Sequence, residues 1–153
     1  MAANSRFAVA VHATALLAHR AARGEEWVSS SQIAASVRTN PVVVRRALSA
    51  LARSGVLRTR GGRRGGASLA RGAGEISLAD IYRAVAGLDG VLAPNPNPTN
   101  RTCAVSSGMS RALTPIIVDV EEAVERTLAR VTVAEVLGMI EPPHATAQAG
   151  KKL

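Results

Sequence analysis

Two helix-start signals stand close together near the front of this chain, and they leave few ways for it to fold. Ser29-Ser30-Ser31-Gln32 has the form of a capping box, in which a serine oxygen takes an orphan backbone N–H and the glutamine reaches back to close the turn. It predicts a short helix ending at about Val37. Thr39-Asn40-Pro41 follows, a capping side chain and then proline at the first helical position, where its missing N–H costs nothing. The helix opened there runs to Ser54 and stops at Gly55. Along it Val44, Leu48 and Leu51 form an inward stripe, while Val42, Arg45, Arg46, Ser49 and Arg53 project from the opposite side. A short capped helix, a tight turn and a second helix with a basic outer face make a helix-turn-helix.

What comes next fits that unit. Val56-Leu57-Arg58-Thr59-Arg60 alternates apolar or small with basic residues, Gly61-Gly62-Arg63-Arg64-Gly65-Gly66 breaks the chain, and Ala67-Ser68-Leu69-Ala70 returns as a second strand. This is a hairpin with Arg63 and Arg64 at its tip, the wing of a winged helix, whose glycines leave those arginines room to approach a groove. A phosphate loop is the other use of such a glycine run, but no Gly-Lys-Ser/Thr follows and no helix begins there.

Elsewhere the chain reads as helix. Phe7, Val11, Ala15 and Ala18, widened by Leu16 and Leu17, recur at helical spacing, with Ser5 as the expected N-cap. The same run copies a signal peptide superficially, but His12 interrupts it and it is too short to span a bilayer, so no membrane partner is expected. Ser77-Leu78-Ala79-Asp80 is a second capping box, opening a helix through Ile81, Tyr82 and Val85 that ends at Gly87. Residues 88–102, with Pro94, Pro96 and Pro98 interleaved with Asn, predict a long irregular connection.

Helix returns from about Cys103 or Ser106, and Pro115 either restarts it or kinks it. On it Leu113, Ile117, Val120, Val124 and Val131 keep a three-four spacing with Thr127 in the missing place, and Ile116, Ala123 and Leu128 form a second line. Two apolar faces exceed what so small a chain can cover, so a partner helix from a second subunit is expected, with Leu113, Ile117, Val120, Val124, Leu128 and Val131 at the dimer interface. Thr132-Val133-Ala134-Glu135 is a third capping box, for a terminal helix near Leu137. The expected organisation is a winged helix-turn-helix unit over residues 1–74, a loop and dimerisation helices over 75–140, and a disordered tail over 141–153. The fold class is mainly α with a small β-hairpin wing; with only Phe7, Trp27 and Tyr82 as aromatics, the core must be aliphatic.

Charge divides the chain the same way. From Trp27 to Gly74 there are nine arginines and no Asp or Glu, whereas residues 75–141 carry nine acids against five arginines. Residues 1–74 therefore sum to +10 and residues 75–141 to −4. Seventeen of the nineteen cations are Arg, whose planar guanidinium grips phosphate and guanine edges in bidentate fashion. A GC-rich genome explains Arg over Lys but not the clustering or the reversal of sign. Double-stranded DNA is the expected partner. Its contacts are expected from Ser31, from Thr39, Asn40, Pro41, Val42, Arg45, Arg46, Ser49 and Arg53 on the second helix, and from Arg58, Arg60, Arg63 and Arg64 on the wing. Arg45 and Arg46 are the candidates for base edges, with at least one of them expected to read them; Arg38, Arg53 and Arg71 are a solvated face or touch phosphates.

Taken together, Ser5 to Ala13, Ile33 to Arg46, Gly55-Val56-Leu57 and Ile76 to Val85 resemble the Rrf-two family of bacterial winged-helix regulators. The resemblance covers about residues 5–138 and is most specific from Thr39 to Arg46. It implies a homodimer, held by the long C-terminal helix, that sets two winged helices on a roughly palindromic operator and usually represses transcription; a cytoplasmic location is expected separately, from the single cysteine. It also implies that the helix from Pro41 lies in the major groove and that the Arg63-Arg64 tip reaches toward the minor groove. Family members that sense iron or redox gases hold a cluster with three cysteines after the fourth helix, and here this chain departs from the pattern.

Cys103 is the single cysteine, so three thiolates are out of reach and no iron-sulfur cluster, other metal or resident cofactor is expected. One cysteine also allows no intrachain disulfide and agrees with a reducing compartment. With Arg101 and Arg111 near it in sequence and a helix start beside it, Cys103 reads either as a thiol sensor or as a small semi-buried residue left from a cluster-binding ancestor. His12, His19 and His144 are too scattered for a site, and nothing activates Cys103 as a nucleophile, so an enzyme is not expected. The alternatives kept are a small-molecule effector docking between the 88–102 loop and the long helix, and a regulatory module whose C-terminal helix docks on an enzyme.

Overall fold

Five elements lean on the first helix. The computed structural model describes residues 3–87, 90–93, 95–97 and 99–140. In it α1 (Ala3–Ala21) packs against α2 (Ser30–Val37), α3 (Pro41–Arg53), the strand β2 (Gly66–Leu69), α4 (Leu78–Val85) and α6 (Val133–Ile140). Its fully buried positions are Ala10, Ala13, Thr14 and Leu17, whereas Phe7 and Val11 of the expected stripe are only half-buried. Two alanines on the inner face let neighbouring backbones come close. Thr14 sits there without an unsatisfied hydroxyl because its Oγ1 donates to the Ala10 carbonyl at 2.8 Å. The helix begins at Ala3, so Ser5 lies inside its first turn and is not the N-cap expected for it.

The three capping boxes form as predicted. Ser29 caps α2, accepting from the Gln32 N–H at 3.2 Å while Gln32 Oε1 accepts from the Ser29 N–H at 2.9 Å. Ser77 and Asp80 do the same for α4, and Thr132 and Glu135 for α6. The three-residue turn between α2 and α3 hinges on Arg38, which closes α2 in the left-handed conformation at φ 56°, with its N–H on the Ala34 carbonyl.

Strands β1 (Leu57–Arg60) and β2 pair antiparallel, Leu57 opposite Leu69 and Arg60 opposite Gly66. Val28 bridges to Ala67 on the far side of β2, tying the hairpin to the residue just before the α2 cap. That contact explains one glycine. A Cβ on Gly66 would stand 2.5 Å from the Val28 carbonyl oxygen, so the position serves close backbone approach as well as freedom at the tip.

One core holds these parts together. Leu17, Val28, Ile33, Val44, Leu51 and Val56 share it with Ile76, Ile81, Val85 and Val133. Ile76, Ile81, Val85 and Val133 thus pack in the same core as the residues of the helix-turn-helix. After α4 the chain carries no helix or strand among the described residues up to Cys103, as the prolines predict; Pro94, Pro98 and the tail expected over residues 141–153 lie outside the described residues. Then α5 (Ala104–Leu128) runs for 25 residues straight through Pro115, which therefore does not restart it. It ends before Val131, so Val131 does not extend the helical stripe; its carbonyl instead accepts from the Leu78 N–H at 2.8 Å. Not one residue of α5 is buried.

Candidate nucleic-acid interface

The turn and caps set how α3 is offered. Asn40 Oδ1 accepts from the Val42 N–H at 2.8 Å, and Asn40, Pro41 and Val42 are all exposed. Ser31, exposed one helix back, keeps its Oγ 3.0 Å from that of Ser29, and Thr39 is half-buried in the turn. The buried side of α3 carries Val44, Ala47, Leu48 and Leu51, so Arg45, Arg46, Ser49 and Arg53 stand on its outward ridge as the spacing predicts.

Between that ridge and the wing lies a hollow of about 700 Å³. Arg45, Ser49 and Arg53 of α3 line it together with Arg60, Arg63 and glycines of the tip and with Ser29 and Ser30 at the α2 start. On the opposite flank of α3 a second hollow, about 580 Å³, brings Arg46, Ser49 and Arg53 together with Arg6 of α1 and the end of α4. Arg46 and Arg45, adjacent in sequence, thus open into different hollows.

The arginines sort by whether they already have a partner. Arg20 pairs with Glu25 at 2.6 Å, Arg58 with Glu26 at 3.0 Å, Arg71 with Asp80 at 3.3 Å and Arg83 with Glu125 at 2.8 Å. Among the described residues, Arg6, Arg38, Arg45, Arg46, Arg53, Arg63 and Arg64 have exposed side chains with no ion pair or side-chain hydrogen bond. Five of these seven lie on α3 or the wing tip. Arg101, Arg111 and Arg130 are also unpaired but lie scattered along the loop and about α5. Uncompensated guanidinium groups crowded on one face raise the local potential and recruit anions to it.

Arg58 and Arg60 behave differently from the tip. Trp27 lies beneath them, with the Arg60 guanidinium carbon 4.2 Å and that of Arg58 5.6 Å from its ring centroid. Arg60 Nε also donates to the Arg64 carbonyl at 2.9 Å, and Arg58 Nε to that of Leu69 at 3.3 Å. Arg58 is thus held on Glu26 and Trp27, outside the hollow that Arg60 lines. Sequence reasoning missed Trp27 as the prop of the wing and Arg6 as a wall of the second hollow. The approach of α1 to α3 and of Trp27 to β1 is non-local and leaves no spacing signal.

A second region lies where the connection meets α5. Glu121 accepts from the Tyr82 hydroxyl at 2.6 Å and from the Val91 N–H. Gly90, at φ +55°, lies so close to this carboxylate that a Cβ would collide with it. Burial, then the Glu121 hydrogen bond and the charges of Glu121 and Glu125, push the Tyr82 phenol up to about 12. The same Tyr82 bond holds the Glu121 carboxyl below its ordinary range, helped by the Val91 and Leu92 N–H groups. At the α4 cap, burial would raise Asp80, but the Ser77 hydrogen bonds and the charges of Arg71 and Arg83 outweigh it and hold it low. Beside this seam is a cavity of about 220 Å³ lined by Phe7, Tyr82, Val85, Val91, Val124 and Leu128, with Phe7 edge-on to Tyr82 at 6.0 Å.

Cys103 is the N-cap residue of α5 and makes no side-chain cap bond. It is exposed, against the semi-buried reading. His12 is exposed, its Nε2 3.0 Å from Ser36 Oγ, and His19 is half-buried on the same helix. Along α5, Leu113 is exposed and Ile117, Val120, Val124 and Leu128 are half-buried against their own chain. Among the described residues no helix is long and apolar enough to cross a membrane.

Residues 3–138 match the family model Rrf2, described as "Iron-dependent Transcriptional regulator". A relative from Bacillus subtilis (strain 168), "Putative HTH-type transcriptional regulator YwnA", is 40% identical over 134 residues, which span 88% of this chain and 96% of that protein. A crystal structure of "a putative DNA binding protein" superposes with TM-score 0.64 at 36% identity, covering 86% of this chain and 98% of that one. The T. potens protein IscR shares the fold, with TM-score 0.61 at 23% identity over 96% of this chain and 90% of its own. The iron in the family's description does not fit the donors here. Cys103 is the single thiol, and among the described residues no three His, Cys, Asp or Glu side chains gather as metal ligands.

Proposed function

This chain belongs to the Rrf2 family of transcriptional regulators, and from that premise we propose that it binds a roughly palindromic DNA operator as a homodimer and represses transcription. The observation that carries the reading is the sorting of arginines: among the described residues those on the α3 ridge and the wing tip are left without carboxylate partners, while Arg20, Arg58 and Arg71 are paired with Glu25, Glu26 and Asp80. In this reading α3 enters the major groove. Arg45 and Arg46 present guanidinium groups near its N-terminal end, and Ser31, Thr39, Asn40, Pro41, Val42, Ser49 and Arg53 meet the groove walls. The Arg63-Arg64 tip reaches toward the minor groove, with Arg60 behind it and Arg58 anchoring the wing through Trp27 and Glu26. DNA as partner sets the place of work in the cytoplasm.

Dimerisation is read from α5. Val105, Met109, Leu113 and Ile116 are exposed, Val105 at 67%, and a helix with an unpartnered apolar face of this length calls for another helix. The occupant we assign is α5 of a second copy, along Leu113, Ile117, Val120, Val124 and Leu128, with Val131 beyond the helix end. The signal we assign is oxidation of Cys103, whose exposed thiol stands where the connection joins α5. A second reading has its own observation: the cavity of about 220 Å³ between the connection, Tyr82 and α5 suits a small, largely apolar effector.

One experiment tests these together: salt-dependent binding to a duplex from the protein's own promoter and to a scrambled duplex, with the thiol reduced and oxidised. Tight, promoter-preferring binding with a steep salt slope is the expected result. Equal, weak binding to both duplexes removes the regulator reading. A redox difference lost in Cys103→Ser supports the thiol, whereas an effector response that survives Cys103→Ser supports the cavity. Repression is read separately, as a rise in promoter output when the protein is absent.

A further inference from the structure

Ser49 and Arg53 line both hollows beside α3, so the outward ridge of that helix runs between them. One hollow is closed by the wing. The other is closed by Arg6, near the start of α1, and by Ala84, Val85 and Gly87 at the end of α4. We propose that this second hollow is a phosphate-gripping wall of the DNA interface, in which Arg6 and Arg46 hold the backbone strand on the side of α3 away from the wing. The proposal rests on the DNA-binding reading above and extends it to a residue of the first helix.

Three arginines from two elements line it, Arg46 and Arg53 from α3 and Arg6 from α1, and the remaining lining is serine, glycine and small apolar residues without a carboxylate. Among the described residues none of the three has an ion pair or a side-chain hydrogen bond. Like charges held around one hollow repel each other unless an anion sits between them. A charged face that was merely solvated would not need a third arginine from a separate helix on its opposite wall. At the other end of α1 Arg20 is neutralised by Glu25 at 2.6 Å, so the helix is not simply basic along its length.

The geometry also suggests which anion. A helix in the major groove, about 12 Å wide, has a phosphate strand on either side. A wing on one flank and an arginine wall on the other match that arrangement, whereas a free phosphate would need only one of them. Labour then divides along α3. Arg45, which lines the wing-side hollow, is left to read base edges; Arg46, which lines the same hollow as Arg6, positions the duplex without reading it.

The test is the salt slope of duplex binding by the full-length protein with Arg6→Ala, Arg6→Lys and, as a control for net charge, Arg20→Ala. Arg6→Ala is expected to make the slope shallower by about 0.9 for each protomer on the duplex, weakening promoter and scrambled DNA alike so that their ratio holds. Arg6→Lys, which keeps the charge, is expected to restore most of the slope, and Arg20→Ala to leave it unchanged. Thermal melting of each variant checks that it folds. An unchanged slope in a folded Arg6→Ala variant overturns the proposal, as does a collapse of the promoter-to-scrambled ratio, which would make Arg6 a reader of sequence. A melting temperature raised by inorganic phosphate in the wild type but not in Arg6→Ala, with the slope unchanged, overturns it in favour of a free-anion site. Failure of the wild type to prefer its promoter is a different result, and sinks the DNA-binding reading itself.

Discussion

Helices α3 and α5 are both striped with aliphatic residues, yet α3 buries Val44, Ala47, Leu48 and Leu51 within its own chain and α5 buries nothing. The shorter helix has α1, α2, α4 and β1 around it, whereas the longer one touches α4, with polar bonds from Tyr82 to Glu121 and from Arg83 to Glu125. A stripe therefore tells that a helix must be covered, but not by which chain. For α3 the cover is internal and fixes the angle at which arginines are displayed. For α5 the cover is the second copy proposed above, and the polar seam to α4 is what would transmit its position to the DNA-binding face.

The sharpest way to break this comparison is to damage each stripe in turn. Leu51→Ala empties a fully buried site and is expected to cost about 2–5 kcal/mol in denaturant unfolding at any protein concentration. Leu113→Glu is expected to preserve the helical content of the fold but to give monomers by sedimentation where the wild type gives dimers. If instead both lower stability equally at every concentration, α5 is part of the monomer's own core and the contrast is wrong.

A second prediction concerns the outer face of α3. Arg45→Ala is expected to relax discrimination at one base pair by about 1–3 kcal/mol, read by binding to single-substituted operators. Uniform weakening across all of them would assign Arg45 to phosphate.

The seam between the two regions can be probed by pH. The phenol of Tyr82 is raised from its ordinary value of 10.0 to about 12, so its contribution is whole below about pH 10 and is lost as pH rises through 12. Glu121 is lowered, so its contribution is present above the ordinary carboxyl range and lost as pH falls through its folded value. Tyr82→Phe is expected to cost about 1.5 kcal/mol at neutral pH, in keeping with a hydrogen bond to a charged acceptor. It is also expected to flatten the stability loss between about pH 10 and 12. As the chain's one tyrosine, Tyr82 reports its own ionisation by absorbance. Titration near the ordinary value in the folded protein would mean that the bond to Glu121 is not made.

The smallest expected effect contrasts the two helix starts. Asn40→Ala removes a cap bond of 2.8 Å and is expected to cost about 1 kcal/mol, largely recovered in Asn40→Ser. Cys103 makes no cap bond, so Cys103→Ala is expected to change stability by less than about 0.5 kcal/mol. A larger loss would show that the thiol packs against a partner.

Much of this could be read along the chain. Ser29 with Gln32, Ser77 with Asp80, and Thr132 with Glu135 each mark a helix start because both halves of the cap lie within one turn. The α3 stripe and the wing were legible for the same reason, since periodicity and turn chemistry act over a few residues. The start of α1 was not, because Ser5 looked like a cap while the helix begins at Ala3. Nor was its inner face, where Ala10 and Ala13 carry too little hydrophobic weight to stand out beside Phe7 and Val11. The pairing of Arg58 with Glu26 joins residues 32 apart and had no local mark.

The order of residues alone was enough for the succession of helices, the turn between α2 and α3, the wing, the reversal of charge and the family likeness, because caps, stripes and glycine turns are short-range. Folding decided the rest. It set Arg45 and Arg46 into different hollows, turned Arg58 onto Trp27, brought Arg6 across to α3 and left α5 uncovered. These depend on which surfaces meet when α1 collects its neighbours, and that choice is made by packing between segments far apart in the chain, where no spacing rule reaches.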